Sequence, residues 1–554
     1  MAKKIFYDDD ARARVLAGAK ELYEAVRVTM GPKGRNVVIS KSYGGPTVTH
    51  DGVSVAKAVD IENRNDETLG RSVGAELVKQ AASKTNDVVG DGTTTAVVLT
   101  YHILNEANKL IAAGHNPMDL KKGLDHAAEI VLGSVESLTE KIAGNKQKVA
   151  QVATISAGDG EIGELIADVI EAVGQDGTVT VEQSQSLGME KEIVEGFKID
   201  RGYVSAYMVT DPARMEASYE KPLILVTDKK ISSIQDILPL LEKIAQSGKK
   251  ELVIIAEDVD GEALATLVLN RLKGVFNALA IKAPAFGDRR KAILQDIAVL
   301  TGATVITEEL GYNFETATLD MLGSARKIIA GKDDTTLIEG YGDPKAVASR
   351  IAEIRAQIEN ASSEYDKENL EKRLAALAGK VAVIKVGGAT ETAIEEKKFR
   401  VDDAVNATKA AVAEGIVPGG GVTLVDLSKK LTVEPTKVGS SEEAGHLILK
   451  RALVQPFREL MRNAGVNPDE KLPAVIASKG GQGFDVNDPA QMVDLKTKGV
   501  VDPAKVTREA VQNAVSIAGT AMTMGSLIVE LPEEKGASAG GGMPGGMGMG
   551  GMDY

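Results

Sequence analysis

The stretch NDVVGDGTTTAVVL, residues 86–99, decides how this chain is read. An apolar-periodic run follows it to about Ala113, with Gly114 as a stop, so the segment opens a helix. One hydroxyl suffices to cap a helix N-terminus. Here Thr93, Thr94 and Thr95 follow directly on Asp91 and Gly92. Gly92 allows close backbone approach, the Thr93–Thr95 amides crown a helix N-terminus, and the hydroxyls can donate to phosphate oxygens. Asp91 alone would repel a phosphate. As a ligand of Mg2+, which takes one or two carboxylates together with phosphate oxygens, it has a place there. A capped helix with surface threonines accounts for the same residues without any ligand. No GxxxxGK[ST] segment occurs, so a phosphate site here would lack the P-loop lysine.

The bulk composition narrows the function classes. A chain of 554 residues predicts about three or four domains. It is 43% hydrophobic and 26% charged, an ordinary soluble globular balance. With no cysteine, disulfides, thiol nucleophiles and cysteine-ligated zinc are excluded. Aromatics make up 3%, tryptophan is absent and the net charge is −14, which disfavours nucleic-acid and anionic-membrane partners. The start, MAKKIFYDDDARARV, has no apolar core of a signal peptide, and no apolar run approaches the ~18 residues of a spanning helix. A cytoplasmic protein is expected.

The pattern changes along the chain. Residues 10–28 read as a helix, NVVIS and TVTH as a hairpin around YGGP, and residues 66–85 as a second helix. LILVTD, LVIIAED, ALAIKA and ATVIT alternate with helical patterns at 233–247, 261–273 and 288–300, predicting a βαβ unit with a mainly parallel core. Residues 344–377 read as a long helix or helical hairpin. Helical pattern returns after Asp402, so both chain ends can form one helical domain with the α/β unit inserted between. The last nineteen residues are Gly/Met low complexity, a composition that predicts a flexible tail.

Two motifs mislead. Gly70-Arg-Ser72-Val-Gly74 fits a nucleophile elbow, but its flanks read as one helix rather than strand and helix. Gly158-Asp-Gly160-Glu-Ile-Gly163 fits a dinucleotide fingerprint, with Glu182 at the expected distance, which would suit an NAD-dependent oxidoreductase. Against it, QVATIS is too polar for a doubly buried strand, and Asp159 and Glu161 would face a pyrophosphate.

Other segments support the Asp91 site. Thr29-Met30-Gly31-Pro32 is a tight loop after a helix, His50-Asp51-Gly52 and Asp402-Asp403 add carboxylates, and Gly419-Gly420-Gly421 lets backbone approach a flat ligand. VTMGPKGRNVV, THDGVSVAK, GDGTTTAVVL, AAGHNPMDLKKG, KAPAFGDRRKAILQDIA, VIKVGGATE, PGGGVTL, VVDPAKVTR and the Gly/Met tail, in this order, resemble a group I chaperonin of the GroEL type.

The resemblance implies a multidomain α + α/β fold. A mostly helical equatorial ATPase domain would come from residues 1–138 and 414–534. A small α+β intermediate domain would come from 139–194 and 381–413, with an apical α/β domain at 195–380 and the tail at 535–554. It implies ATP, Mg2+ and K+ as cofactors. Thr29, Met30, Gly31, Pro32 and Gly92 to Thr95 would hold the phosphates. Asp91 would ligate Mg2+, and Thr29, His50 and Thr94 would hold K+. Gly420 and Asp502 would face the ribose, with Asp485, Val486 and Asn487 near the adenine. Asp51 and Asp403 would orient the attacking water. Tyr203, Tyr207, Met208, Leu238, Leu241, Leu264, Val268 and Leu269 would bind non-native polypeptides and a co-chaperonin of the GroES type, in two stacked seven-membered rings. From the residues alone, the helices around 238 and 264 are either fully buried between layers or carry a second apolar face for a partner. An ATP-independent holdase is the remaining alternative. His50 replaces the family's usual lysine, Lys380 its glycine near the lower hinge, and ENRNDETLGRS carries a few extra residues.

Overall fold

The computed structural model describes residues 3–40, 46–62, 66–174, 177–184, 186–212, 214–361, 363–434 and 438–531. The Gly/Met tail, the YGGP turn and part of ENRNDETLGRS lie outside the described residues.

The two chain ends meet. Strand Lys3–Tyr7 pairs antiparallel with Ser526–Glu530, Lys3 opposite Glu530. Helices Asp8–Val26, Arg71–Val89, Thr93–Ala112 and Pro117–Leu138 from the first half pack with Ser441–Leu453 and Ala504–Met522 from the last. Leu22, Val78, Leu99, Leu124, Ile448 and Ala514 share their apolar core, all of them fully buried. Small residues set the helix spacing. A Cβ on Gly18 would overlap the Arg71 carbonyl, and one on Gly74 would overlap the Val15 carbonyl. Gly74 is therefore a helix-crossing residue. The elbow motif dissolves: Thr68 to Gly70 form a turn, and Gly70, at φ 89°, precedes helix Arg71–Val89. The expected second helix thus starts later, at Arg71, and runs to Val89.

The middle of the chain builds one nine-stranded sheet. Its order is Asn277–Lys282, Glu251–Ala256, Leu223–Val226, Gly323–Ala330, Thr335–Gly340, Met189–Ile199, Lys380–Val386 and Thr178–Gln183, with Ala217–Glu220 paired beside Gly323–Ala330. The first three strands are mutually parallel, as the alternation of strands and helices predicts. These runs thus form the parallel core expected of them, and the rest of the sheet is mixed, with Lys380–Val386 parallel to Thr178–Gln183. Gly323–Ala330, Thr335–Gly340 and Met189–Ile199 pair antiparallel because a tight turn, not a helix, joins the first two of them. ATVIT makes a single bridge, Thr227 to Ile306, rather than a strand. Helices Ile234–Gln246, Gly261–Leu272 and Gly287–Thr301 cover the parallel edge, and Pro344–Asn360 with Glu364–Leu377 form the helical hairpin.

Between these units lies a smaller core of helices Lys146–Ala157, Gly160–Val173 and Glu391–Glu414 with strands Thr178–Gln183 and Lys380–Val386. Strand Met189–Ile199 belongs to two partners: residues 189–195 pair with Lys380–Val386, and residues 196–199 with Thr335–Ile338. The switch falls on Gly196, where a Cβ would overlap Val381. The Gly158–Gly163 motif sits in this smaller core and is no dinucleotide site. A helix, Lys146–Ala157, precedes it, Gly158 ends that helix at φ 64°, and Asp159 accepts from Glu161 N at 2.9 Å and Ile162 N at 3.3 Å to cap the next.

Substituting Gly74 by alanine forces a methyl onto a backbone carbonyl that cannot rotate away, so about 2–3 kcal/mol of stability should be lost. Denaturant unfolding followed by circular dichroism reads this. An unchanged midpoint would show that the crossing tolerates a wider gap than its geometry indicates.

Candidate functional site

The Thr93–Ala112 helix starts on Gly92 at φ 75°, with no side chain capping it. Its first amides are thus open to an anion. Gly90, at φ 66°, ends the preceding helix, so two left-handed glycines two residues apart bend the chain back around Asp91. A side chain at Gly92 would strike Val506.

Two further segments close on this terminus. The Thr29 hydroxyl lies 3.2 Å from that of Thr94 and donates to the Val26 carbonyl at 2.9 Å. Gly52 touches Thr94, and a Cβ there would stand 3.0 Å from the Thr93 hydroxyl. Asp51, just before it, caps the short helix Gly52–Ala58 by accepting from Val53 N at 3.1 Å and Ser54 N at 2.8 Å. Gly31 takes φ 78° and packs on Leu460. Met30 is a partial correction. Its side chain is buried in the helical core, so only its backbone can face a ligand, and its carbonyl already accepts from Asn463 at 3.0 Å. Asn463 also holds the Arg27 carbonyl, at 2.9 Å. Pro32 is exposed at the loop's tip. The His50 imidazole folds over this loop, against the Gly31 backbone and Gly34, and burial pushes its pKa down.

Carboxylates crowd the same place. Burial holds the Asp91 pKa up, Asp51 adds to the rise, and the Gly92 N–H and the Ser156 hydroxyl oppose it. Asp403, on helix Glu391–Glu414, is held well above the usual carboxylate range by burial and then by Asp51, Asp91 and Asp402. Asp502, on strand Val501–Pro503, is pushed up to about 7 by burial and by Asp91. Asp51, Asp91, Asp403 and Asp502 therefore share one cleft, brought there by four separate segments. Among the described residues no group of three carboxylates or imidazoles is tight enough to hold a cation unaided. That donor set fits Mg2+, a hard ion that retains oxygens of phosphate and water beside one or two carboxylates.

The opposite wall comes from the second half of the chain. Strand Ile416–Pro418 pairs with Val501–Pro503, and a Cβ on Gly419 would stand 3.1 Å from Asp502 Oδ1. Gly420, at φ 65°, faces Leu495. Asp485, Val486 and Asn487 make the turn between strands Gln482–Asp485 and Asp488–Asp494, where Asn487 N donates to Asp485 at 2.9 Å. Among the described residues no hydrogen bond or ion pair joins this turn to the four carboxylates. Sequence reasoning missed Ser156 and Asn463, which lie in unremarkable helical segments with no signal of their role.

The helices around 238 and 264 differ in what they leave open. In Ile234–Gln246, Ile234, Ile237, Leu240 and Ile244 are buried, while Leu238 and Leu241 are half-buried flank residues. Leu264 and Val268 are also half-buried, as is Tyr203. Tyr207 is 68% exposed, Leu269 50%, Leu272 64% and Val275 60%, so one apolar face does stand open. Met208 is a correction. It is fully buried and its sulfur accepts from Ala280 N, which removes it from any contact surface.

Comparison with known proteins agrees with this architecture. The structure resembles the crystal structure of the chaperonin gp146 from bacteriophage EL 2 (Pseudomonas aeruginosa), determined in the presence of ATP-BeFx. The TM-score is 0.65 at 20% identity, covering 95% of this chain and 99% of that one. No described helix is long and apolar enough to cross a membrane. Residues 22–532 match the TCP-1/cpn60 chaperonin family, and the chain belongs to that family.

Proposed function

We propose that this chaperonin subunit is a Mg-ATP-driven folding machine, and the convergence of Asp51, Asp91 and Asp403 on an uncapped helix N-terminus carries that reading. Phosphoryl transfer to water needs positioning and charge neutralisation more than a strong base. The Thr93–Thr95 amides and the Thr29 and Thr94 hydroxyls bind phosphate oxygens. Asp91 holds Mg2+, which neutralises phosphate charge when bound. Asp51 is fixed by its two amide contacts, so with Asp403 it can orient a water. Gly420 and Asp502 take the ribose, and Asp485 to Asn487 lie toward the adenine. Thr29, His50 and Thr94 would take K+.

Client capture follows from the exposed apical face. Apolar contact is non-directional, so Tyr207, Leu269 and their neighbours accept many non-native chains by buried area. A carboxylate on a separate helix links hydrolysis to the closing of the site. In the same reading, subunits assemble as two stacked seven-membered rings and a GroES-type co-chaperonin covers the chamber. A holdase without turnover would share the apical face but leave the four crowded carboxylates unexplained.

Asp403→Ala should bind Mg-ATP nearly as wild type and hydrolyse it about 100-fold more slowly or worse. Calorimetry and phosphate release measure the two quantities, and near-normal turnover would remove Asp403 from the chemistry. Leu269→Asp should abolish capture of a denatured client, with Mg-ATP binding by the same preparation as the folding control. Undiminished capture would move the client surface elsewhere.

Asp502 adds a pH signature. Folding raises its pKa, so its stabilising contribution is fully present below the unfolded value of 3.8 and is lost as pH rises through about 7. The melting temperature of the nucleotide-free protein should fall over that window. Asp502→Asn should flatten the decline, and an equal slope in both proteins would mean that other groups set it.

A further inference from the structure

Helix Glu391–Glu414 carries two functional strips. Lys398, Asp402 and Lys409 lie along one, at spacings of four and seven residues; Asp403, Asn406 and Ala410 lie along the next, roughly 100° around the helix. The second strip faces the nucleotide cleft. Asp403 feels Asp51 and Asp91, Asn406 abuts Gly90, and Ala410 packs with Val89 and Val506. The first strip faces charges from the central sheet unit. Arg214 Nη2 lies 2.8 Å from Asp402 Oδ2, Lys398 sits in the field of Arg214, Asp211 and Glu216, and Lys409 in that of Lys198 and Asp334.

Arg214 lies on the segment that leads to the exposed apolar face. It occupies a turn closed by the bridge between Asp211 and Glu216, its own N–H donates to Asp211 Oδ1 at 3.3 Å, and its Nε lies 3.4 Å from Glu216. That turn begins three residues beyond Met208. Arg271, between Leu269 and Leu272, donates to the carbonyls of Tyr207 and Val209. A continuous path of short contacts thus runs from Tyr207 and Leu269 to Asp402, whose chain neighbour is Asp403. The Arg214 and Asp402 side chains are only 19% and 14% exposed, so separating them strands a poorly solvated charge. Such a contact is either made or broken, with little between.

We propose that Arg214 is a positioning residue for ATP hydrolysis: its pair with Asp402 sets the helix so that Asp403 stands over the cleft, and displacement of the client-facing segment alters that setting. The proposal rests on the ATPase reading above. It assigns a hydrolytic role to a residue outside the nucleotide site and on the client side of the molecule.

The test is steady-state phosphate release from Mg-ATP by the full chain and by Arg214→Gln, Arg214→Lys, Asp402→Asn and the Arg214→Gln/Asp402→Asn double variant. The Gln and Asn variants should each lose about fivefold or more in kcat, with KM for ATP within about twofold. Arg214→Lys should recover about half of the loss, since the charge survives without the fork geometry. The double variant should be no slower than the worse single one, because both changes remove one contact. A purely structural role would lower the melting temperature and shift KM together with kcat, without rescue by lysine. Wild-type turnover with unchanged kcat in Arg214→Gln, or losses that multiply in the double variant, would overturn the proposal. Absence of phosphate release from the wild type would instead overturn the ATPase reading, and this inference with it.

Discussion

Mutual repulsion among carboxylates is the constraint around which this chain is organised. Asp51, Asp91, Asp403 and Asp502 come from four segments far apart in sequence, and each of the last three is held above its ordinary pKa by burial together with another member of the set. Left alone, such a cluster costs stability, because like charges in a partly desolvated cleft are poorly screened. Proton uptake, which the raised pKa values express, relieves that cost in part, and a positive charge brought to the cleft would relieve it further. The uncapped amides of the Thr93–Ala112 helix supply part of such a field, and in the proposed reading a divalent ion would supply the rest. In that reading the carboxylates would disfavour a bare triphosphate relative to its metal-bound form.

Holding four acidic segments together requires a stiff frame, and small residues provide it. Gly18 and Gly74 bring two long helices to near backbone contact, and Gly123 and Gly445 do the same where Pro117–Leu138 crosses Ser441–Leu453. The helices that present Thr29, Asp91 and Thr93 are thereby fixed relative to one another. Asp403 alone comes from outside this frame. Its helix packs on Lys146–Ala157 and Thr178–Gln183, and it meets the helical domain along Ala504–Met522, the Val501–Pro503 strand and the Glu140–Ile416 bridge.

Much of this was legible in residues whose chemistry is local. Gly92 before three threonines points to an open helix start, which the structure has, with Asp91 buried beside it. The inserted α/β unit was legible because strand and helix periods differ. What escaped depended on partners distant in sequence. Met208 looks like a surface methionine next to exposed Tyr207, yet the Ala280 strand passes directly over it. Ser156 reads as a helix interior residue until the fold carries it to Asp91. ATVIT has the composition of a strand, but only Ile306 finds an edge to pair with. Leu272 and Val275 carry no mark that separates an exposed leucine from a buried one.

The shared strand Met189–Ile199 is the joint that relates the large sheet unit to the smaller unit. Two sheet segments hang on a single backbone that changes partner at Gly196, where neither side chain nor bulge can stiffen the joint. Rotation there would cost little in ladder hydrogen bonds, since each half of the strand keeps its own partner. Side-chain contacts must then decide which orientation is held. Glu182 meets Arg326 and Lys327 on one side of the joint, and Asp402 meets Arg214 on the other. Both contacts pair an acid of the small unit with a base of the large one, so both break when the units separate. Only the second lies one residue from a carboxylate of the cleft, so a hinge that is soft in its backbone can report its position to that cleft through a single ion pair.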